Sequence, residues 1–332
     1  MLLTIDIKLI FANLGSTFVW GYGSDNGPSK WGQYYPICLG KRQSPINIDS
    51  LRTTFNPKLE HIQASHYISP QPNIKATLTN IGKSIFIQPA IDYSPVLVDP
   101  LNSGVFYRAH HLHFHWGASD NYGSENAIDN KYYPIEIHIV HYNIKYQNVL
   151  QAIPKPDGLA VIGIFAKIGE GSAGFSWLLQ YMQKLQYKGE ILKTHVRIFV
   201  DRKDETVTAN GFSYSSFLPK DMSKYFTFPG SLTTPLCEES VRWIVMEEPI
   251  TISSQQMNQF RKLYATARNK SSSKYIEKNY RHVQPLNNRI VYSSFDTNAY
   301  TNTIIIVFGS IFAVVIVAIG AIVAVYGNMM KS

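Results

Sequence analysis

At 332 residues the chain can hold one large domain or two small ones, and a hydrophobic fraction of 45% supports a sizeable core. The net charge of +8 comes from scattered lysines and arginines with no basic run, which excludes the electrostatic footprint of a nucleic-acid binder.

Residues 1–17 are apolar but interrupted by Asp6 and Lys8, with Ala12, Gly15 and Ser16 near a cleavage point. They form a weak signal-peptide pattern. From Phe18 to Ser294 there is no low-complexity linker, charge block or repeat. Short β-rich runs recur instead, separated by turn residues: Ala76–Leu78, Ile85–Ile87, Leu112–Trp116, Ile135–His141, Leu159–Ile168, His195–Val200, Val241–Glu247 and Thr251–Ile252. Helical stretches are few, at Phe175–Leu185 and Ser254–Thr266. The pattern predicts one β-rich α+β domain over 18–294.

Two of these runs carry histidines in strand spacing. Alternation puts His113 and His115 on one face of the first, with Leu112, Phe114 and Trp116 on the other. In the second, Glu136, His138 and Val140 share a face. If the strands are neighbours, three imidazoles converge, as in the ligand shell of a catalytic zinc. Spacing alone leaves a second reading open, in which these are hydrogen-bonded core histidines.

Cys38 and Cys237 are the two cysteines, compatible with buried thiols in a reducing compartment or with a disulfide in a secreted chain. Asn269-Lys270-Ser271 is a glycosylation sequon if the domain is luminal. After a spacer at 295–303, the run Ile304–Tyr326 is uncharged, apolar and long enough to cross a bilayer core of roughly 30 Å. It reads as a transmembrane helix with a short tail at 327–332, or as a glycolipid-anchor signal with Ser293-Ser294 upstream. The short tail leans to the glycolipid. Either way the domain over 18–294 is expected on the extracellular face of the plasma membrane.

Taken in order, several motifs carry a resemblance. They are Trp20-Gly21-Tyr22-Gly23, Asn26-Gly27-Pro28, Gln43-Ser44-Pro45-Ile46-Asn47-Ile48, His113-Phe114-His115-Trp116-Gly117, Gly123-Ser124-Glu125, Glu136-Ile137-His138-Ile139-Val140-His141, Asp157-Gly158-Leu159-Ala160-Val161 and Gly230-Ser231-Leu232-Thr233-Thr234-Pro235. The chain resembles an α-class carbonic anhydrase over nearly all of 18–294. The resemblance implies a large twisted, mainly antiparallel central sheet with peripheral helices and a conical site at its middle. It implies zinc held by His113, His115 and His138, and reversible hydration of carbon dioxide to bicarbonate by a zinc-bound hydroxide.

The resemblance also assigns roles. Thr233 and Glu125 orient the nucleophile, and Glu136 and the Asn279 carbonyl orient His138 and His115. Val140, Val161, Leu232 and Trp243 form an apolar wall for carbon dioxide, while Thr234 and Tyr22 hold ordered waters. Cys38 and Cys237 pair as a disulfide, and Ser44-Pro45 keeps a possible cis-proline. Some positions depart from the family pattern. His111, behind His113, replaces a glutamine. Ile81 and Phe86 replace polar residues of the cavity, and Asn126 replaces a buried histidine. Leu236 replaces a second proline, which puts a cis bond there in doubt. Lys83 stands at the proton-shuttle position, where a solvated, charged amine at the rim would not accept a proton at neutral pH. The competing reading, a catalytically weak cell-surface binding module, would be favoured by the loss of any zinc ligand; all three are present.

Overall fold

The computed structural model describes residues 18–68, 74–90, 94–189, 191–192, 211–268 and 271–297. Residues 1–17 with the expected leader, Asn269, the strand expected at His195–Val200, the apolar run 304–326 and residues 327–332 lie outside the described residues. Among the described residues no helix is long and apolar enough to cross a membrane.

Eight strands matter for the site: β1 (Ala76–Asn80), β2 (Ile85–Pro89), β3 (Val96–Asp99), β4 (Asn102–Trp116), β5 (Ile135–Asn143), β6 (Leu159–Ile168), β7 (Tyr225–Gly230) and β8 (Val241–Met246). Among the described residues they belong to a 12-stranded sheet whose central order is β1-β2-β4-β5-β6-β8-β7, with β3 paired to β4. Most pairings are antiparallel. The β6–β8 pair is parallel, as are Ile250–Ile252 on β6 and Tyr292–Ser293 on Thr54–Phe55. The sheet is therefore mixed.

Every residue of β5 is buried, so both faces of the sheet are covered at its centre. One face belongs to a large apolar cluster. Ile135, Ile137 and Ile139 of β5 pack there with Leu112, Phe114, Ile162 and Ile164. Two helices close over it. Helix α1 (Ala173–Met182) contributes Phe175 and Leu178, and α2 (Ser254–Phe260) contributes Met257 and Phe260. The start of α2 is set locally: Ser253 and Gln256 form a reciprocal capping box that satisfies two orphan donors. A smaller cluster on the other face holds Val140, Val161, Phe228 and Trp243.

Both helices are shorter than their apolar patterns suggest. The first gives way to a 3₁₀ turn at Gln183–Leu185. The second stops at Phe260, because the amides of Tyr264 and Ala265 donate to the Gln186 and Lys274 carbonyls instead. Strands β3 and β7 are not anticipated from the sequence. Pro95 and Pro100 bracket β3, and Pro229 lies inside β7, so proline breaks the pattern that reading relies on. Ser44–Pro45 is cis, and so is Pro235–Leu236, against the expectation drawn from the missing second proline. That loop is held by one long-range link, the Cys237–Cys38 disulfide, and by a local turn in which the Cys237 N–H donates to the Thr234 carbonyl.

Candidate metal centre

The register of β4 on β5 sets His113 opposite His138 and His115 opposite Glu136. With the large cluster claiming the alternate residues, all three imidazoles project from the other face. Their ring centroids stand 5.0, 5.2 and 4.5 Å apart. One nitrogen from each ring lies within 4.8 Å of the others.

The second nitrogen of each ring is engaged. His115 Nδ1–H donates to the Asn279 carbonyl at 2.7 Å. Asn279 is itself fixed, accepting from the Trp116 N–H at 2.6 Å and donating to the Phe114 carbonyl at 2.9 Å. His138 Nε2–H donates to Glu136 Oε1 at 2.9 Å. Glu136 in turn accepts from the amides of Glu125 and Asn126 and from the Asn126 side chain, each at 2.8 Å. His113 Nδ1 lies 3.2 Å from His111 Nε2. By elimination, the convergent atoms are Nε2 of His113, Nε2 of His115 and Nδ1 of His138.

These residues fit a zinc ion. His115 Nε2 is buried with no hydrogen-bond partner, a cost the fold accepts only if something else takes the lone pair. Burial, then the neighbouring imidazoles, push His113 and His115 well below the ordinary histidine range, so both are neutral donors at pH 7. Three imidazole nitrogens with ordered outer partners are the donor set zinc prefers.

Glu125 faces the same point, with Oε2 4.0 Å from His138 Nδ1. Burial pushes its carboxyl well above the usual range. The Thr233 hydroxyl and the Arg281 N–H, the latter at 2.8 Å from Oε1, work against that rise. Thr233 is close without a well-formed hydrogen bond, since Glu125 Oε2 has no partner. A dication among the histidines would favour the ionised carboxylate.

Residues 26–295 match the family described as eukaryotic-type carbonic anhydrase. The chain belongs to the carbonic anhydrases. It is 36% identical over 278 residues to carbonic anhydrase 3 of Rattus norvegicus, covering 83% of this chain and 98% of the relative. Carbonic anhydrase 3 of Sus scrofa is 37% identical over 278 residues, with the same two shares. Carbonic anhydrase 7 of Homo sapiens is 37% identical over 283 residues, covering 83% of this chain and 97% of the relative. Membership of the α class makes the protein a carbonate dehydratase, an enzyme of carbon dioxide hydration.

In this carbonic anhydrase a cavity opens in front of the histidines. Tyr22, Val140, Leu232 and Thr234 line it, as do Ile81, Lys83, Phe86 and His111. Val161 and Trp243 are buried with Val140 in the cluster that Leu232 packs against. Trp243 edges onto His138 at 4.9 Å and donates its indole N–H to the Ser231 carbonyl at 3.0 Å. Phe86 stacks on His111 at 4.6 Å and on His113 at 4.9 Å, walling the side that polar residues would have wetted. Sequence reading missed Val149 and Ile153, which look like ordinary core at a four-residue interval yet line the cavity.

Lys83 is not the solvated amine expected at the rim. Its Nζ lies 3.7 Å over the Trp20 ring. Burial, helped by the charge of Lys188, pulls it down to about 8. Cys38 and Cys237 are bonded, with Cα atoms 4.9 Å apart, as the resemblance implies.

Proposed function

We propose that this carbonic anhydrase binds one zinc ion through His113, His115 and His138 and uses it for the reversible hydration of carbon dioxide. The convergence of three imidazole nitrogens, one of them orphaned and buried, carries the reading. Bound zinc supplies a nucleophile from water at neutral pH, a known property of carbonic anhydrases.

The protein's own groups then act on geometry and charge. With zinc bound, the Thr233 hydroxyl would close onto the neighbouring Glu125 carboxylate and donate to it, leaving its oxygen as an acceptor that orients the attacking water. The Thr233 amide is available to hold the developing oxyanion. Glu136, the Asn279 carbonyl and His111 keep His138, His115 and His113 in the tautomers that present a lone pair inward. Val140 and Leu232, clustered with Val161 and Trp243, give carbon dioxide an apolar seat. Thr234 and Tyr22 hold water, and Lys83 stands at the mouth as a proton acceptor.

The domain is proposed to work outside the cell. The Cys38–Cys237 bond fits an oxidising compartment. The apolar run 304–326, as transmembrane helix or glycolipid signal, would hold it at the plasma membrane, with Asn269 glycosylated. Phospholipase C treatment of intact cells releases a glycolipid form and leaves a transmembrane form in place; recovery in the soluble cytosol overturns the topology. The chemistry is tested by metal analysis and a carbon dioxide hydration assay with and without chelator. About one zinc per chain and chelator-sensitive activity are expected; full activity without metal refutes the reading.

A further inference from the structure

The register of β4 on β5 slips by one residue at His110. Ala109 faces His141 and His111 faces Val140, so His110 has no partner across the ladder. This is a β-bulge. It reverses the alternation: Tyr107 and Ala109 before it, and Leu112 and Phe114 after it, all enter the large apolar cluster. His110 and His111, adjacent in sequence, therefore project from the same face, and their Nδ1 atoms meet at 2.8 Å. His111 Nε2 is 3.2 Å from His113 Nδ1, and His110 Nε2 is 3.3 Å from the Gln88 amide on β2. The result is an unbroken line from Gln88 through His110 and His111 to His113.

Nitrogen–nitrogen contacts of 2.8 and 3.2 Å each need one donor and one acceptor, which the line satisfies with one proton on each ring. Such a line has two self-consistent orders. In the first, the Gln88 Nε2–H donates to His110 Nε2, His110 Nδ1–H to His111 Nδ1, and His111 Nε2–H to His113 Nδ1. That leaves the last proton on His113 Nε2, the atom that must face the metal. In the second, every bond reverses. His113 Nδ1–H donates to His111 Nε2, His111 Nδ1–H to His110 Nδ1, and His110 Nε2–H to Gln88 Oε1 once the amide has turned over. His113 Nε2 is then a free lone pair. Each ring keeps one proton in both orders, so the conversion is balanced.

Resting on the zinc reading above, we infer that His110 and Gln88 are positioning residues: the bulge builds a three-imidazole line that metal binding sets in the second order and that holds His113 in its ligating tautomer. His110 acts only through its Nδ1 acceptor. The test needs no catalysis. Full-length protein, ¹⁵N-labelled at histidine, is examined by long-range ¹H–¹⁵N correlation with and without zinc, and the zinc dissociation constant is measured by chelator competition. In the zinc-loaded wild type, His111 carries its proton on Nδ1 and His110 on Nε2. His110→Phe removes the acceptor, so His111 loses that tautomer and zinc binds about tenfold more weakly or worse.

His110→Asn places Oδ1 where Nδ1 stood and restores both readouts. Gln88→Leu leaves the bulge untouched and tests the far end if the His110 variants do not fold. It should release the His110 tautomer and weaken zinc by a smaller factor. Unchanged tautomers and an unchanged constant in His110→Phe, or in Gln88→Leu where that is the variant that folds, overturn this inference while leaving the zinc site standing. A wild-type protein that binds no zinc overturns the site itself.

Discussion

Thr233 is nine-tenths buried beside Glu125, yet it is placed to touch the reacting groups. Replacing it with alanine removes the hydroxyl together with one methyl group. Thr233→Ala should fold normally and lose roughly 10²–10³-fold in hydration rate, the usual cost of one oriented electrostatic contact; a near-native rate would remove Thr233 from the mechanism. His115→Ala should lose the metal outright, read as zinc per chain, because two imidazoles leave the donor set incomplete.

Lys83 makes a pH prediction with a definite sign. Only the free amine accepts a proton, and burial places its pKa near 8. Where proton export limits turnover, maximal rate should rise as pH climbs through about 8. Lys83→Met should flatten that step, and added imidazole should rescue the variant, with efficiency at low carbon dioxide unchanged in both. A profile identical in wild type and variant would assign the proton to another group.

At the level of elements, β4 and β5 were legible because each alternates without interruption where the histidines stand. Period-two spacing puts His113 with His115 and Glu136 with His138 on single faces and gives the apolar backs of both strands; that the three imidazoles meet was implied by the resemblance and comes from the pairing of the strands. The bulge at His110 was not legible, since one extra residue in a strand leaves no compositional mark; it emerges only from pairing with β5. The loop that presents Thr233 is another element set by distant residues. Ser44 N–H donates to Ser231 Oγ at 2.9 Å, Gln43 donates to the Cys237 carbonyl at 3.1 Å, and the disulfide spans a separation of 199 residues. Replacing both cysteines by serine should cost about 2–5 kcal/mol in chemical denaturation. An unchanged midpoint would show that the loop is held without the bond.

At the scale of the whole molecule, acid should unfold the protein partly through a histidine outside the active site. His141 is fully buried on β5, in contact with the Tyr67 hydroxyl at 2.8 Å, and burial pulls it from 6.5 to about 4. Above pH 6.5 it is neutral whether folded or unfolded, and its contribution is complete. As pH falls towards 4 the unfolded chain takes up a proton that the fold refuses, and stability is lost. The loss amounts to about 3 kcal/mol at most. Urea titrations at pH 7 and pH 5 should show this slope in the wild type and a shallower one in His141→Gln. Equal slopes would exclude His141.

Ordered motifs along the chain carried the family and the β-rich class, and strand spacing marked His113, His115 and His138 as candidate ligands. Residue types at short spacings survive in a linear string. Only the packing of distant segments shows that Lys83 is desolvated against Trp20, that Val149 and Ile153 line the cavity, and that His110 joins the line behind His113. Each of these depends on which distant segments exclude water from a group, or on a one-residue slip between strands, and neither is encoded locally.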